Sequence, residues 1–298
     1  MLKAIRHEPQ AAAQHYAHFM LTPLSGALGA SISGVNLRQV DTATFAEIRL
    51  ALSRHLVLFF PGQNLSPEGQ EWFARLFGEV TEYPFMDAVP AFPQGMIPVG
   101  FQPGDVYNFG GDFHSDASFL REPPLATILS CQLLPKVGGD TVWVNQYLTY
   151  RSLSPAMQKL LDGLAAVHSA APGTTPGAAD YDAYSAGNKA TPIRPNDSVE
   201  PWVVHPVVRT HPDTGEKALY VNESYTIAFE GMTPEESRPL LRFLFAHQKR
   251  PDFSYRHRWQ VGELCIWDNR CTLHHALNDY PGEQRLMHRL TVGPERPE

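Results

Sequence analysis

Two histidines and one aspartate, distant from each other along the chain, have the residue types of a non-haem iron site. His114 and Asp116 are separated by a single residue, and His274 and His275 lie in a segment that starts at Trp267. Two imidazoles and one carboxylate bind Fe(II) while leaving coordination positions open for a co-substrate and O2. Because adjacent side chains point to opposite faces of a strand, at most one of His274 and His275 is expected to face a metal.

His114 and Asp116 follow a pair of glycines and, in an extended segment, would project from the same face. The chain contains a second such motif, His211-Pro-Asp213, which is followed by Thr214-Gly215. Pro, Asp and Gly in this order are typical of a turn, and strand-like runs flank it, so we interpret this motif as a hairpin loop. For His114 and Asp116 the alternative is a histidine satisfied in the core or at the surface.

Two arginines, Arg285 and Arg289, share one face of a predicted strand, because side chains alternate along a strand. The opposite face carries Leu286, His288, Leu290 and Val292. The arginines could simply be exposed to solvent. At the mouth of a barrel, each guanidinium could instead bind a carboxylate through two parallel hydrogen bonds, which a lysine does less well. The histidines just before this strand favour the second interpretation.

Hydrophobic periodicity, caps and turn residues predict the elements that must position these side chains. The predicted helices are Asp41–Arg54, Ser66–Gly78, Ser154–His168 and Thr233–Lys249. After short strands and turns between residues 23 and 37, the predicted strands are His55–Phe60, Ala126–Leu133, Thr141–Val144, Val203–Arg209, Ala218–Val221, Glu263–Trp267 and Arg285–Val292. Many short strands separated by turns are typical of a sandwich or jelly roll, here mainly β with flanking helices.

The 298 residues are predicted to form one domain, because all-β sandwiches and barrels often reach this length. Residues 1–20 are expected to be a loosely attached leader. Residues 171–201 are rich in Ala, Gly, Pro, Asp, Asn and Ser, and a loop of this length is usually either a functional lid or disordered. Both interpretations stay open, and an active-site lid is the prediction that we carry forward.

The composition is that of an ordinary globular protein, with 43% hydrophobic and 18% charged residues. A net charge of -7 gives no broad attraction to nucleic acid or to a membrane, so an anionic small substrate would need a local cluster of cations. No secretory signal and no membrane-spanning run is found. Three cysteines without a CxxC pair fit a reducing compartment, and we predict a cytoplasmic homo-oligomer.

Ordered motifs along almost the whole chain resemble those of one enzyme family. They include Pro23–Leu37, Phe77-Gly78-Glu79, Phe113-His114-Ser115-Asp116, Gly138–Trp143, His205–Pro212, Leu219–Glu223, Trp267–Arg270 and Arg285–Arg289. By these motifs the chain resembles the TauD/TfdA family, the taurine dioxygenase-like enzymes that depend on Fe(II) and 2-oxoglutarate. The resemblance implies a double-stranded β-helix core, a relative of the jelly roll, with flanking helices.

The resemblance also implies roles for the candidate residues. The Fe(II) ligands that it implies are His114, Asp116 and His274. Thr141 and Arg285 would hold the distal carboxylate of the co-substrate 2-oxoglutarate, and Arg289 would meet an anionic group of the primary substrate. The implied reaction uses O2, converts 2-oxoglutarate to succinate and CO2, and hydroxylates the substrate. Asp116 itself favours hydroxylation, because related halogenases have a small residue in its place.

Some residues depart from the pattern of the taurine enzyme. Tyr83 stands where that enzyme has a histidine, and Phe109-Gly110-Gly111 stands where it has an asparagine that contacts the substrate. These changes leave the predicted iron and 2-oxoglutarate sites intact but put taurine itself in doubt. Tyr83, Phe85, Phe109 and Arg289 together indicate a pocket for an acid with an apolar or aromatic body. The alternative is that the aromatic residues belong to the core.

Three functions stay open at this point. The first is hydroxylation of a small anionic organic substrate, such as a sulfonate, a sulfate ester or an aryloxyalkanoate. The second is desaturation or an oxidative rearrangement in specialised metabolism on the same scaffold. The third is a jelly roll that binds a metal or a ligand without turnover. Asp116, Thr141 and Arg285 argue against the third, because a pure binding protein has no need for all of them.

Overall fold

The computed structural model describes residues 15–298, which form mainly β-strands together with several helices. The α-helices are α1 (Thr42–His55), α2 (Pro67–Arg75), α3 (Gln146–Arg151), α4 (Pro155–Leu161), α5 (Ala171–Thr174), α6 (Ala179–Gly187) and α7 (Pro234–Gln248). The strands are β1 (Met20–Pro23), β2 (Ala30–Ser33), β3 (Val57–Phe60), β4 (Val80–Thr81), β5 (Ile97–Phe101), β6 (Pro124–Leu133), β7 (Thr141–Asn145), β8 (Ala165–His168), β9 (Val203–Pro206), β10 (Val208–Thr210), β11 (Lys217–Leu219), β12 (Thr226–Phe229), β13 (Ser254–His257), β14 (Leu264–Asp268), β15 (Thr272–Ala276) and β16 (Arg285–Pro294).

The largest sheet has eight strands and contains the two longest, β6 and β16. Its order is β1-β2-β3-β14-β6-β16-β4, and β5 also pairs with β16. The pairs are antiparallel except for β2 with β3. Along the β6–β16 pair, Leu129 lies opposite Arg289 and Thr127 lies opposite Thr291. This register decides which residues become neighbours of the predicted arginines.

Alternate residues of the large sheet enter two different cores. On β3, Val57 and Phe59 belong to an inner cluster, whereas Leu58 and Phe60 belong to an outer cluster. The same alternation continues on β14, β6 and β16. Helices α1 and α2 contribute to the outer cluster and cover that face. Because both faces of the sheet are buried, strands such as β3 are continuous apolar runs.

A second sheet, β13-β7-β15, faces the inner side of the large sheet. Trp143 of β7 lies edge-on to Phe59 of β3, with ring centroids 5.5 Å apart, and to Trp267 of β14 at 5.6 Å. Such edge contacts stabilise a core beyond the area that they bury. Three residues of the inner core, Val99, Leu129 and Trp267, also line the pocket that contains the candidate ligands. The site therefore opens directly from the space between the sheets.

Helix α7 packs against the sheet β12-β8-β9 and the hairpin β10-β11 rather than against the large sheet and the sheet β13-β7-β15. Its first turn has a capping box, in which Thr233 and Glu236 satisfy each other's backbone N–H groups. Leu241 and Leu244 of this helix share a third core cluster with Phe229 of β12. The sheet β12-β8-β9 and the hairpin β10-β11 complete this part of the fold.

The helices predicted near residues 41, 66 and 233 are confirmed, because their caps are encoded locally. Asp41 accepts a hydrogen bond from the Thr44 backbone N–H at 2.8 Å, and Ser66 caps α2 in the same way. The hairpin predicted at His211 is confirmed as well, since β10 pairs with β11 and the His211 N–H donates to the Glu216 carbonyl. The strands predicted at β3, β6, β7, β14 and β16 are also confirmed within a few residues.

The predicted helix Ser154–His168 is wrong in its second half. Helix α4 ends at Leu161, and the following Ala165–His168 forms β8, which pairs with both β9 and β12. The partners are distant in sequence, so local periodicity does not reveal them. The predicted strand Val203–Arg209 is divided between β9 and β10.

Residues 171–201, predicted as a loop, contain the short helices α5 and α6, neither of which begins with a side-chain cap.

Of the predicted leader, residues 1–14 lie outside the described residues. Tyr16 and Phe19 are buried in the outer cluster. Within residues 15–298, no helix is both long enough and apolar enough to cross a membrane.

A short turn carries the chain from the large sheet, at the end of β14, to the second sheet, at the start of β15. Asp268, the last residue of β14, is buried and pairs with Arg270 at 2.7 Å and with His211 at 3.0 Å. Burial by itself raises the pKa of Asp268, but Arg270 and His211 bring it well below its usual range, so the carboxylate stays ionised. Arg270 also pairs with Asp213 and Glu295. The turn is therefore fixed by a buried charge network.

Replacing Asp268 with Asn is expected to lower the free energy of unfolding by about 3 kcal/mol, because buried Arg270 loses its main partner. The pKa of Asp268 is lower in the folded than in the unfolded state. Its stabilisation is therefore fully present above about pH 4 and is lost as the pH falls further, so Asp268→Asn should show a weaker acid dependence. Urea unfolding between pH 7 and pH 3 measures both effects.

The control is Asp162→Asn, which removes a partly exposed ion pair with Lys217 and should cost less than about 1 kcal/mol. Equal losses of stability in the two variants would contradict the role given to Asp268.

Candidate active site

Backbone pairing places two of the predicted ligands side by side. The His114 N–H donates to the His274 carbonyl at 3.0 Å, and the His274 N–H donates to the His114 carbonyl at 2.8 Å. This isolated antiparallel bridge puts both imidazoles on one side, with ring centroids 4.1 Å apart. His275 instead stacks on Phe113 at 4.9 Å. Of the two adjacent histidines, the structure thus brings His274 next to His114.

Asp116 reaches the same place from a turn, not from the extended segment that the sequence suggested. The bridge ends at His114, and Ala117 has a φ of 48°, which turns the chain immediately after Asp116. Asp116 Oδ1 lies 3.5 Å from His114 Nε2 and 3.9 Å from His274 Nε2. Bonds of about 2.1 Å to one ion leave neighbouring ligand atoms about 3 Å apart. The three side chains are therefore close to the spacing that a single ion requires.

Hydrogen bonds and burial keep these three side chains in protonation states that can bind a metal. His114 Nδ1 lies 2.7 Å from the Asp112 carbonyl, so an N–H at Nδ1 leaves the lone pair of Nε2 free. Burial lowers the pKa of His274 well below its usual value, which favours the neutral imidazole. Burial alone raises the pKa of Asp116, but Arg289 and His274 bring it well below its usual range. The donors are imidazole nitrogens and an ionised carboxylate.

A second group of candidate ligands comprises His211, Asp268 and Cys271. Its carboxylate is already bonded to His211 and to Arg270. Burial raises the pKa of the Cys271 thiol well above its usual value, so the thiol is protonated. A protonated thiol is a poor metal donor, and both oxygens of the Asp268 carboxylate already accept hydrogen bonds from Arg270. We therefore assign this group to the stability of the turn between the sheets.

Arg289 pairs with the candidate ligand Asp116 and still has one free donor. Its Nη2 lies 2.7 Å from Asp116 Oδ1, whereas its Nη1 is buried without a hydrogen-bond partner. The guanidinium carbon lies 5.5 Å from the ring centre of Tyr83 and 5.9 Å from that of Phe109. Burial raises the pKa of Tyr83 to about 12 even though Arg289 lowers it, so the Tyr83 hydroxyl is neutral. A buried donor without a partner is costly unless a ligand satisfies it.

Arg285 is a buried cation, and no ion pair of its side chain occurs among residues 15–298. Its Nε donates to the Gly139 carbonyl at 3.1 Å, and burial lowers its pKa. Asp140, an acidic residue nearby, pairs with Arg256 instead. Thr141 Oγ1 accepts a hydrogen bond from Trp259 Nε1 at 3.0 Å, which leaves the hydroxyl proton for another acceptor. A buried guanidinium in this state suits an anionic ligand.

These side chains line one small pocket, and a larger cavity adjoins it. The small pocket is lined by the three candidate ligands, Thr141, Arg285, Arg289 and Phe109 among others. The larger cavity, of about 520 Å³, shares Phe109, Gly110 and His114 with it and also includes Tyr83. This volume lies within the usual range of small-molecule sites, about 300–1,000 Å³. All eight predicted site residues therefore line one of two connected spaces.

Several residues that contact the site were missed at the level of the sequence. Thr127 Oγ1 donates to Asp116 Oδ2 at 2.5 Å, and Asn108, which lines the larger cavity, donates to the Ala276 carbonyl at 2.8 Å. Thr127 lies in an apolar strand and gives no local signal. Asn269 donates a hydrogen bond to Thr127. It belongs to the motif Trp267–Arg270, but the sequence predicted no role for its side-chain amide.

The similarity to known proteins extends over nearly the whole chain. The model of the family described as "Taurine catabolism dioxygenase TauD, TfdA family" matches residues 21–291. The alpha-ketoglutarate-dependent sulfate ester dioxygenase of Pseudomonas putida is 34% identical over 295 aligned residues, which cover 96% of this chain and 93% of the relative.

Solved structures give the same result. A taurine dioxygenase from Burkholderia xenovorans has a TM-score of 0.78 and 33% identity, covering 94% of this chain and 91% of that one. The structure of AAD-2 in complex with Mn(II) and N-oxalylglycine has a TM-score of 0.76 and 26% identity, covering 94% and 98%. The predicted family and the predicted enzyme class, an oxidoreductase, are thereby confirmed. The chain belongs to the TauD/TfdA family of dioxygenases that depend on alpha-ketoglutarate, that is, 2-oxoglutarate.

Proposed function

We propose that this chain is an Fe(II)- and 2-oxoglutarate-dependent dioxygenase that hydroxylates a small anionic organic substrate and releases succinate and CO2. The observation that carries the proposal is the meeting, in one buried pocket, of two imidazoles, one carboxylate and a guanidinium without an ion pair. The first three suit a metal, and the fourth suits a dicarboxylate co-substrate. The same three ligands without the guanidinium would fit many other metalloproteins.

Fe(II) is the proposed metal, and His114, Asp116 and His274 would hold it. Two imidazoles and one carboxylate are the donor set that leaves positions open at Fe(II) for a co-substrate and O2. The neighbour AAD-2 was crystallised with Mn(II), also a divalent first-row metal, and with N-oxalylglycine, an amide analogue of 2-oxoglutarate. When bound, the metal and 2-oxoglutarate would supply the oxidation of a substrate C–H bond by O2.

Arg285 and Thr141 would hold the distal carboxylate of 2-oxoglutarate. A planar guanidinium can bind that carboxylate through two parallel hydrogen bonds, and the Thr141 hydroxyl has a proton to donate. Gly139 supports this geometry, because its carbonyl fixes Arg285 Nε and leaves the rest of the guanidinium for the ligand. The burial of Arg285 keeps water away from its ion pair with the co-substrate and so strengthens that pair.

Arg289 would bind the anionic group of the primary substrate, with Tyr83 and Phe109 around its apolar part. The free Nη1 of Arg289 and the two rings near its guanidinium support this assignment. The ion pair with Asp116 keeps Arg289 beside the metal site, so a bound anion would lie close to the reacting centre. One relative acts on sulfate esters and one neighbour is a taurine dioxygenase. Organic sulfate esters and sulfonates with an apolar body are therefore the proposed substrates.

Residues 171–201 are proposed to act as a lid over the larger cavity. Pro172, Tyr184 and Ile193 form part of the wall of that cavity. The segment is attached to the facing loop, because Asn188 Nδ2 donates to the Tyr107 carbonyl at 2.7 Å. A lid built in this way would exclude water from the substrate.

The fold is proposed to be a double-stranded β-helix, with its two layers in the large sheet and the facing sheet β13-β7-β15. The single-domain organisation, the cytoplasmic location and the homo-oligomer stay predictions from the sequence.

The test of the function is to measure succinate formation and O2 uptake with Fe(II), 2-oxoglutarate and a panel of alkyl sulfates, alkyl sulfonates and aryloxyalkanoates. At least one anion is expected to stimulate both, in equal amounts. A product that gains oxygen, or that releases sulfate and an aldehyde after hydroxylation, indicates hydroxylation, whereas loss of hydrogen alone indicates desaturation. A chain that binds Fe(II) but responds to no anion in the panel would contradict the proposed substrate class.

Replacing His274 with Ala is expected to weaken Fe(II) binding by more than about 100-fold, because loss of a ligand should exceed the 10–100-fold effect typical of residues behind the ligands. Anaerobic calorimetry measures the affinity. His275→Ala is the matched control, since this neighbour stacks on Phe113 and should leave the affinity unchanged. A larger loss in His275→Ala would show that the wrong histidine was assigned.

Replacing Arg285 with Gln is expected to raise the KM for 2-oxoglutarate by about 10-fold to 100-fold, because hydrogen bonds to a charged group contribute about 1.5–3 kcal/mol. Arg285→Lys should recover only part of this loss, since lysine keeps the charge without the planar fork. Succinate formation at varied 2-oxoglutarate gives the constants. Arg75→Gln, which changes an exposed arginine of α2 that pairs with Glu71, is the control and should not change them. An unchanged KM in Arg285→Gln would move the role to Arg289.

Replacing Arg289 with Gln is expected to raise the KM for the primary substrate more than the KM for 2-oxoglutarate, because the substrate would lose its only proposed charged partner. The expected rise is about 10-fold or more. Steady-state kinetics with each reactant varied in turn separates the two constants. The reverse order of the two effects would contradict the assignment.

A further inference from the structure

We propose that Thr127, held in place by Asn269, positions the carboxylate of Asp116 so that only Oδ1 is offered to the metal. This inference rests on the proposed function, since it concerns the same metal site. Neither residue was identified from the sequence, and neither lines the pocket. Both would act through Asp116 and are therefore positioning residues, not catalytic ones.

The chain of hydrogen bonds behind Asp116 has only one possible direction. The indole N–H of Trp267 can only donate, and it donates to Asn269 Oδ1 at 2.9 Å. The amide nitrogen of Asn269 therefore faces Thr127 and donates to its Oγ1 at 2.9 Å. The single hydroxyl proton of Thr127 is left for Asp116 Oδ2, which lies 2.5 Å away. A carboxylate that is ion-paired with Arg289 only accepts hydrogen bonds, which agrees with the direction of the last bond.

The backbone holds each member of this chain in position. Thr127 of β6 lies opposite Trp267 of β14 in the sheet register. Asn269 lies in the turn after β14, and its carbonyl accepts a hydrogen bond from Ser115 Oγ at 2.7 Å, which ties the turn to the residue before Asp116. Thr127, Asn269 and Trp267 are all at most 1% exposed. Water is therefore excluded as a substitute donor to Asp116 Oδ2.

The two oxygens of Asp116 consequently have different environments. Oδ1 faces His114 and His274 at 3.5 and 3.9 Å and also pairs with Arg289 Nη2 at 2.7 Å, whereas Oδ2 accepts the hydrogen bond from Thr127. A carboxylate that binds a metal through one oxygen uses a single coordination position, and through both oxygens it would use two. By occupying Oδ2, Thr127 would keep one more position free for 2-oxoglutarate or O2. Without it, the carboxylate could rotate toward the metal with both oxygens.

The inference is tested with Co(II), whose binding to the metal-free full-length chain is followed by its visible absorption. Thr127→Val keeps the shape and the β-branch of the side chain but removes the hydroxyl. We expect it to weaken Co(II) binding by about 10-fold to 100-fold, the usual effect of residues that orient metal ligands, and to alter the band shape of the bound metal. Thr127→Ser retains the hydroxyl and should restore both the affinity and the spectrum.

Thr291→Val is a matched control in the neighbouring strand. Thr291 lies directly opposite Thr127 in the register, is also buried, and bonds to Thr81 at 2.7 Å rather than to a ligand. Thr127→Val and Thr291→Val each lose a buried hydroxyl and should both unfold at lower urea concentrations. Only Thr127→Val should change Co(II) binding.

Wild-type affinity and spectrum in Thr127→Val, equal losses in Thr291→Val, or failure of Thr127→Ser to restore binding would each overturn the inference. If Thr127→Val does not fold, Thr127→Cys gives the same comparison, because its thiol is only a weak donor. Failure of the unaltered chain to bind Co(II) at all would instead count against the proposed metal site itself, so the two failures can be told apart.

Discussion

The candidate site depends on two backbone hydrogen bonds between segments that are far apart in sequence. His114 and His274 exchange these bonds, and their imidazoles are adjacent as a result. His274 belongs to the second sheet, whereas Asp116 is held by Thr127 of the large sheet. The three candidate ligands therefore come together only when both sheets are packed against each other. Metal affinity and folding stability are accordingly expected to be coupled.

Two buried carboxylates illustrate how the same charge compensation serves different ends. Both oxygens of Asp268 already accept hydrogen bonds from Arg270, and one of them also contacts His211. Asp116 is paired with Arg289, but the same oxygen also faces the imidazoles of His114 and His274. In each case a guanidinium keeps the carboxylate ionised despite burial. The candidate site differs because two of its atoms can still bind a ligand. Nη1 of Arg289 has no hydrogen-bond partner among the described residues, and Nε2 of His114 has a free lone pair.

The sequence allowed predictions where the physics is local. Capping residues such as Asp41 and Ser66 predicted their helices, and alternation along β16 placed Arg285 and Arg289 on one face. Alternation did not show whether this face of β16 is buried, because its burial depends on the second sheet. The helix predicted up to His168 was wrong because distant strands pair with its second half. Thr127 was missed for a similar reason, since only the sheet register brings it behind a ligand.

The close packing around Gly139 has a consequence for how such an enzyme can change. Gly139 has a φ of 72°, and a β-carbon there would lie 3.1 Å from Pro135 and 3.2 Å from Arg285. A larger residue at this position, beside Arg285 of the small pocket, would therefore be strained. The larger cavity, by contrast, is bordered by loop residues such as Tyr107 and by residues 171–201. Under the proposed function, a change of substrate is therefore expected from changes in these loops rather than at Gly139.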